Sequence, residues 1–327
     1  MTTQTLLSIP ACDLRPGDMV KVRNAMEILS TLDADGTIEG VVFMPEMIEH
    51  VGRCYRVLHR LEKTCIEGSP AGLNEFRNND VVFLKGLRCD GASHDGCMRS
   101  CMIFWKEAWL TRIADNRMNP PIVQDEQALA ALRTRLRAAV TDHVYFCQST
   151  NLLNATIPLS ALGRLWKCLR DVRVRTYTVP QIIVLIVKPL IGKKLLLFRS
   201  RVPKTDRTKT PKGVLDLQPG DWVEVKSVDE IAATLDVLGR NRGLQWSYDL
   251  LPYCGRRFRV SKRLGKMIVE YTSGMVQLSD TVLLEGAHCT CKYVVGGCPR
   301  MDLIYWREIW LRKIEPTSEN EVQKRME

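Results

Sequence analysis

Pro16-Gly17-Asp18-Met19-Val20-Lys21-Val22 returns as Pro219-Gly220-Asp221-Trp222-Val223-Glu224-Val225, 203 positions further along the chain. The register holds without a gap through Glu27/Glu230, Thr31/Thr234, Asp33/Asp236, Gly36/Gly239 and Gly40/Gly243. It continues through Gly52/Gly255, Arg56/Arg259, Val57/Val260 and Lys63/Lys266. A block at offset 200 follows (Val82/Val282, Leu84/Leu284, Gly86/Gly286), then one at offset 201 (Trp105/Trp306, Glu107/Glu308, Trp109/Trp310, Ile113/Ile314). Chance does not keep one register over so many positions. The chain is therefore an internal duplication of residues near 14–113 and 217–314. Two copies are too few for a solenoid, so the repeat predicts two globular domains.

Within each copy, Pro-Gly-Asp predicts a turn, and the Val20/Val22 alternation predicts a half-buried strand. Asn24 with Glu27, and Ser227 with Glu230, have the spacing of a capping box ahead of a short helix. Asp33 to Gly36 reads as a turn, Pro45–His50 as a short helix, and Arg53–Arg60 and Val81–Leu87 as strands. A cysteine-bearing loop and an aromatic closing segment, Ile103–Ile113, complete the copy. Short strands and little helix in about 100 residues predict a small antiparallel barrel per copy, and the whole chain reads as mainly β with an α-helical connector (α+β). The expected domains are 1–117, a connector at 118–213, and 214–327.

The turn Pro-Gly-Asp-x-Val-x-Val opening a small barrel resembles SH3-like domains, including the one in the β subunit of nitrile hydratases. The endings Trp105-Lys-Glu-Ala-Trp109-Leu110 and Trp306-Arg-Glu-Ile-Trp310-Leu311 resemble those of an uncharacterised bacterial protein family. The resemblance implies tandem SH3-like barrels and carries no established activity. The cysteine loop is not part of the SH3-like pattern.

Cysteine usage carries the chemistry. In a reducing cytoplasm, the compartment expected from the lack of a basic, apolar leader and of any charge-free stretch of about 20 residues, the 12 cysteines are thiols or metal ligands rather than disulfides. Cys65 ends a strand, and Cys89, Cys97 and Cys101 lie in a polar loop with Gly91 and Gly96. Four thiolates from two neighbouring segments would close a tetrahedral zinc site. The same count suits an iron–sulfur cluster, and buried free thiols also pack as small hydrophobes. His94 is a substitute ligand or a solvated loop residue. Copy two has lost two positions, with Ile268 for Cys65 and Asp302 for Cys101, but offers a second candidate set, His288, Cys289, Cys291 and Cys298. The alternative there is a degenerate site kept as packing. Cys147 has no adjacent base and reads as an ordinary thiol. Cys12, Cys54, Cys168 and Cys254 read as packing residues.

The connector is the basic part of the chain. Residues 132–212 hold 17 Lys and Arg against 3 Asp, or +14, in a chain of +10, which leaves everything outside at 10 less 14, or −4. Glu126–Ala139 and Ser160–Val172 read as helices, the second with Leu162, Leu165, Trp166 and Leu169 on one face. Val179–Phe198 is apolar but broken by Lys188-Pro189 and Lys193-Lys194, and Arg199–Lys212 reads as a linker. The apolar run suits core packing or peripheral contact of residues 179–212 with an anionic membrane. The basic face alternatively suits nucleic acid, though no aromatic-basic interleaving accompanies it.

The two Trp of each ending share one face in helix or strand, as a core plug or as a binding platform. No dinucleotide or Walker phosphate loop, nucleophile elbow or zinc-protease histidine pair occurs. The radical-enzyme spacing fails because residue 104 is Phe. Recurrence of Asp18/Asp221 and Glu107/Glu308 in both copies favours structural roles. The expectation is a metal-binding, non-catalytic accessory protein, cytoplasmic or membrane-associated, that meets a protein partner. An iron–sulfur or zinc enzyme and a nucleic-acid binder are the alternatives.

Overall fold

The computed structural model describes residues 13–66, 72–114, 125–199, 208–289, 291 and 294–315. The first twelve residues, Cys12 among them, and residues 200–207 of the expected linker lie outside the described residues. The described chain is mainly β, with a few helices.

The duplication is visible as two antiparallel five-stranded sheets of identical order. The first runs Trp105–Lys106, Val81–Leu84, Cys54–Arg60, Met19–Val22, Leu110–Arg112. The second runs Leu303–Arg307, Thr281–His288, Arg257–Arg263, Trp222–Val225, Leu311–Ile314. Even the irregularity repeats: pairing slips between Val57 and His59 in one sheet and between Val260 and Lys262 in the other. Both expected capping boxes form. Asn24 Oδ1 accepts from Glu27 N while Glu27 Oε2 accepts from Asn24 N, and Ser227 and Glu230 make the same exchange. Pro45–His50 is a 3-10 helix rather than an α-helix.

The aromatic endings are neither one helix nor one strand. In each copy a strand, a single 3-10 turn and another strand follow in succession. Trp105, Trp109, Trp306 and Trp310 are all fully buried. That settles the core plug over the binding platform. Trp109 Nε1 donates to Thr31 Oγ1 at 3.2 Å, and Trp310 Nε1 to Thr234 Oγ1 at 3.0 Å. The recurring glutamates tie down the entry of each copy: Glu107 accepts from Leu14 N, and Glu308 from Leu215, Asp216 and Leu217 N.

Two compact units result, and they cut across the repeat. The first joins the chain up to Leu190 with residues 266–276 and 290–301, both from copy two. The second comprises residues 191–265, 277–289 and 302 onward, and contains the second sheet. Connector helices form at Glu126–Arg135, Ala161–Arg173 and Val179–Arg199. Asp125 and Ser160 cap the first two. No helix among the described residues is long and apolar enough to cross a membrane.

Candidate metal centres

The first unit holds a reciprocal exchange between the repeats. The short strand Thr64–Cys65 of copy one receives the cysteine loop of copy two: Cys65 N donates to Cys298 Sγ at 3.2 Å and Arg300 Nη1 to Cys65 O at 2.9 Å. The equivalent strand of copy two, Lys266–Ile268, receives the loop of copy one in the same way. There Ile268 N donates to Cys97 Sγ at 3.4 Å and Arg99 Nη1 to Ile268 O at 3.4 Å. Each repeat thus lends its loop to the other repeat's strand.

The exchange divides the quartet expected from sequence. Cys65 lies with Cys291 and Cys298, the three ligand atoms falling within 4.8 Å of one another. Cys65 Sγ is 3.9 Å from Cys291 Sγ and 3.6 Å from Cys298 Sγ. A disulfide needs about 2.05 Å. Thiolates at about 2.3 Å from one tetrahedral ion stand about 3.8 Å apart, and the two observed spacings bracket that value. Burial alone would raise the Cys298 thiol. Hydrogen bonds from Cys291, Cys65 and the Arg300 backbone outweigh burial and hold it well below its usual value. Cys291 draws Cys65 down, but Cys298 and burial prevail and push it up to about 12. The trio thus gathers three sulfurs at the spacing of ligands to one cation, whose binding would displace their thiol protons.

Cys291 reaches this place through its backbone. Its φ of 46° matches the left-handed conformation of Gly91, φ 72°, at the same loop position in copy one. Val294 N donates to Cys291 O at 3.0 Å just as His94 N donates to Gly91 O at 3.0 Å. Copy two has put a thiol where copy one keeps a glycine.

The remaining loop cysteines form a second group. Cys89, Cys97, Cys101 and Cys147 line a cavity of about 30 Å³, with His94, Arg99, Gln148 and Ser149. Burial, then the charges of Glu46, Cys101 and Cys147, pushes the Cys89 thiol up. Such mutual repulsion is relieved by a shared cation. Ser149 Oγ donates to Cys101 Sγ at 3.5 Å. Glu46, Cys89 and His94 also lie within ligand range of one another. His94, however, has both ring nitrogens on acceptors, Nδ1 with Glu46 Oε1 at 2.6 Å and Nε2 with Phe146 O at 3.1 Å. Burial lowers its pKa, but Glu46 outweighs that and leaves it raised. His94 thus braces the loop between Glu46 and the Phe146 carbonyl, with the Cys89 thiol beside it.

Cys147, read from sequence as an ordinary thiol, lines the same cavity. Its segment is fixed from all sides: Thr150 Oγ1 accepts from Cys147 N at 2.9 Å, and Gln148 bonds Phe104 N, Phe104 O and Val42 O. Of the set proposed for copy two, His288 and Cys289 belong to the second unit. There His288 Nδ1 meets Gly286 O at 3.1 Å and Cys289 N donates to Asp302 O at 2.7 Å.

Gly91 makes the copy-one loop possible. A Cβ there would sit 2.0 Å from Cys97 O, at a φ of 72°. Gly91→Ala should therefore open the loop, cost more than about 1–2 kcal/mol, and lower whatever metal uptake the loop thiols support. Native mass spectrometry of the variant checks this; retention of the wild-type metal count would contradict it.

No protein-family model, curated protein or solved structure matches this chain.

Proposed function

We propose that this is a zinc-binding, non-catalytic interaction protein built from two SH3-like small barrels, in which metal ions fasten the exchanged loops. The observation that carries the proposal is the 3.6 and 3.9 Å thiol spacing around Cys65. A cubane iron–sulfur cluster sets each thiolate on a different iron and spreads them apart, whereas a single ion draws them to about 3.8 Å. Zinc suits an all-thiolate tetrahedral set and brings no redox chemistry of its own. The second ion would take Cys89, Cys97, Cys101 and Cys147. The role is structural because the Cys65 ion would join strand and loop from different repeats, so that metal affinity becomes folding free energy.

Metal analysis of the purified full chain tests this. The expected result is colourless protein with two zinc ions per chain. Cys65→Ser, Cys291→Ser and Cys298→Ser should each remove one ion, and Cys89→Ser and Cys147→Ser the other. Brown protein with acid-labile sulfide, or Cys65→Ser and Cys89→Ser removing the same single ion, would overturn the assignment.

A further inference from the structure

We propose that the outer face of the helix Ala161–Arg173 and of the adjoining helical residues 179–188 is a docking surface for an anionic lipid bilayer. The first helix is inside out by the ordinary rule for water-soluble proteins. Leu162, Leu165, Trp166 and Leu169, at the spacing of one helical face, are 68, 55, 65 and 58 % exposed. Its inward face carries charge instead. Lys167 Nζ meets Glu75 Oε2 at 2.8 Å and Glu62 Oε2 at 3.3 Å, and Asp171 pairs with the buried ammonium of Lys63. The next helix continues the outer surface. Ile182 and Leu185 turn inward against Cys168, while Val179, Ile183, Val184 and Val187 are exposed.

The charge around this apolar surface selects its occupant. Asp171 is the one acidic residue between 160 and 199, and it is buried. Arg170, Arg173, Arg175 and Lys188 are exposed, and Arg173 continues the line of Trp166 and Leu169 one helical turn on. A tryptophan among leucines, bordered by bases in a segment (160–199) whose one acid is buried, is the composition of a helix lying in the bilayer interface. There apolar groups enter the acyl boundary and Arg and Lys meet anionic headgroups. A second copy would bring two basic rims face to face, which Coulomb repulsion opposes. Nucleic acid would satisfy the rim but leave the central apolar stripe against phosphate. The lipid contact thus moves from residues 179–212, expected from sequence, to the outer side of 161–188.

The test is co-sedimentation of the full chain with phosphatidylcholine vesicles, with and without phosphatidylglycerol, across a salt series. Binding should require the anionic lipid and weaken as salt screens the bases. Leu165→Glu with Trp166→Glu should keep the wild-type circular dichroism and metal content and lower vesicle partitioning at least about tenfold. Absence of binding to the anionic vesicles, or equal binding by the folded double variant, would overturn the proposal. So would a concentration-dependent dimer that the double variant abolishes in a protein indifferent to vesicles, which would assign the face to a second copy. Metal content and vesicle binding are separate readouts, so this proposal and the zinc proposal can fail independently.

Discussion

Glu270→Gln should cost about 3–5 kcal/mol of stability, the usual penalty for stranding buried charge. Glu270 is 4 % exposed and stands between two guanidinium groups that are as deeply buried. Arg300 grips it with both prongs, Nη1–Oε1 at 3.0 Å and Nη2–Oε2 at 2.5 Å, and Arg99 Nη2 reaches Oε2 at 3.2 Å. Arg99 and Arg300 are the same position of the two exchanged loops, and each also holds a carbonyl of the other repeat's strand, Ile268 O and Cys65 O. A neutral amide would leave two cations facing each other without a counter-charge. Both loops would loosen together, and the Cys65 ion should be lost with them, because the Arg300 backbone also supports Cys298. Urea denaturation and metal analysis of the same samples measure both effects. Glu230→Gln is the control: its bond to Arg312, 2.7 Å long with both side chains near half exposed, is screened by solvent, and its loss should leave the urea midpoint close to that of wild type. A Glu270→Gln protein within about 1 kcal/mol of wild type would show that the carboxylate does not hold the exchange together.

What could be read in the sequence was local. The capping boxes formed because each couples residues three apart, whatever surrounds them. Burial of the four Trp followed from their size, and the shared order of the two sheets from the duplicated sequence. The exchange of loops was not legible, because a repeat says which segments are alike and not which of two like surfaces a segment packs on. Cys65 and Cys298 are 233 positions apart, and the self-contained pairing within one copy was equally compatible with the pattern. A trace did exist in the compensating losses. Copy two lacks a thiol at Ile268 but gains one at Cys291, and copy one has a thiol at Cys65 but Gly91 in the loop. A cysteine added on one copy's loop and another on the other copy's strand fit together only if that loop crosses to that strand. The orientation of helix Ala161–Arg173 was hidden for a different reason. An amphipathic period is the same whichever face turns inward. The orientation goes with Glu62 and Lys63, buried charges that meet Lys167 and Asp171 on the polar face of the helix.

That choice has a measurable thermodynamic sign. Burial pushes the Asp171 carboxyl up from 3.8 to about 6, against the pull of the Lys63 ammonium. The native state therefore keeps a proton between about pH 4 and 6 that the unfolded chain has already released. Stability contributed by this group is full below about pH 4 and falls as pH rises through 6, by on the order of 3 kcal/mol. Asp171→Asn, which imitates the protonated acid in size and shape, should remove that slope. It should equal wild type near pH 4. Above pH 7, relief of the carboxylate's burial penalty raises stability and loss of the counter-charge to the buried Lys63 ammonium lowers it, so denaturation curves at the two pH values show which prevails. A variant less stable than wild type at neutral pH would mean that Lys63 stabilises the carboxylate more than burial penalises it. If the gain is found, the Lys63–Asp171 pair lowers stability and still fixes which side of the helix faces inward. Keeping the charges inward is then what leaves Leu162, Leu165, Trp166 and Leu169 turned outward.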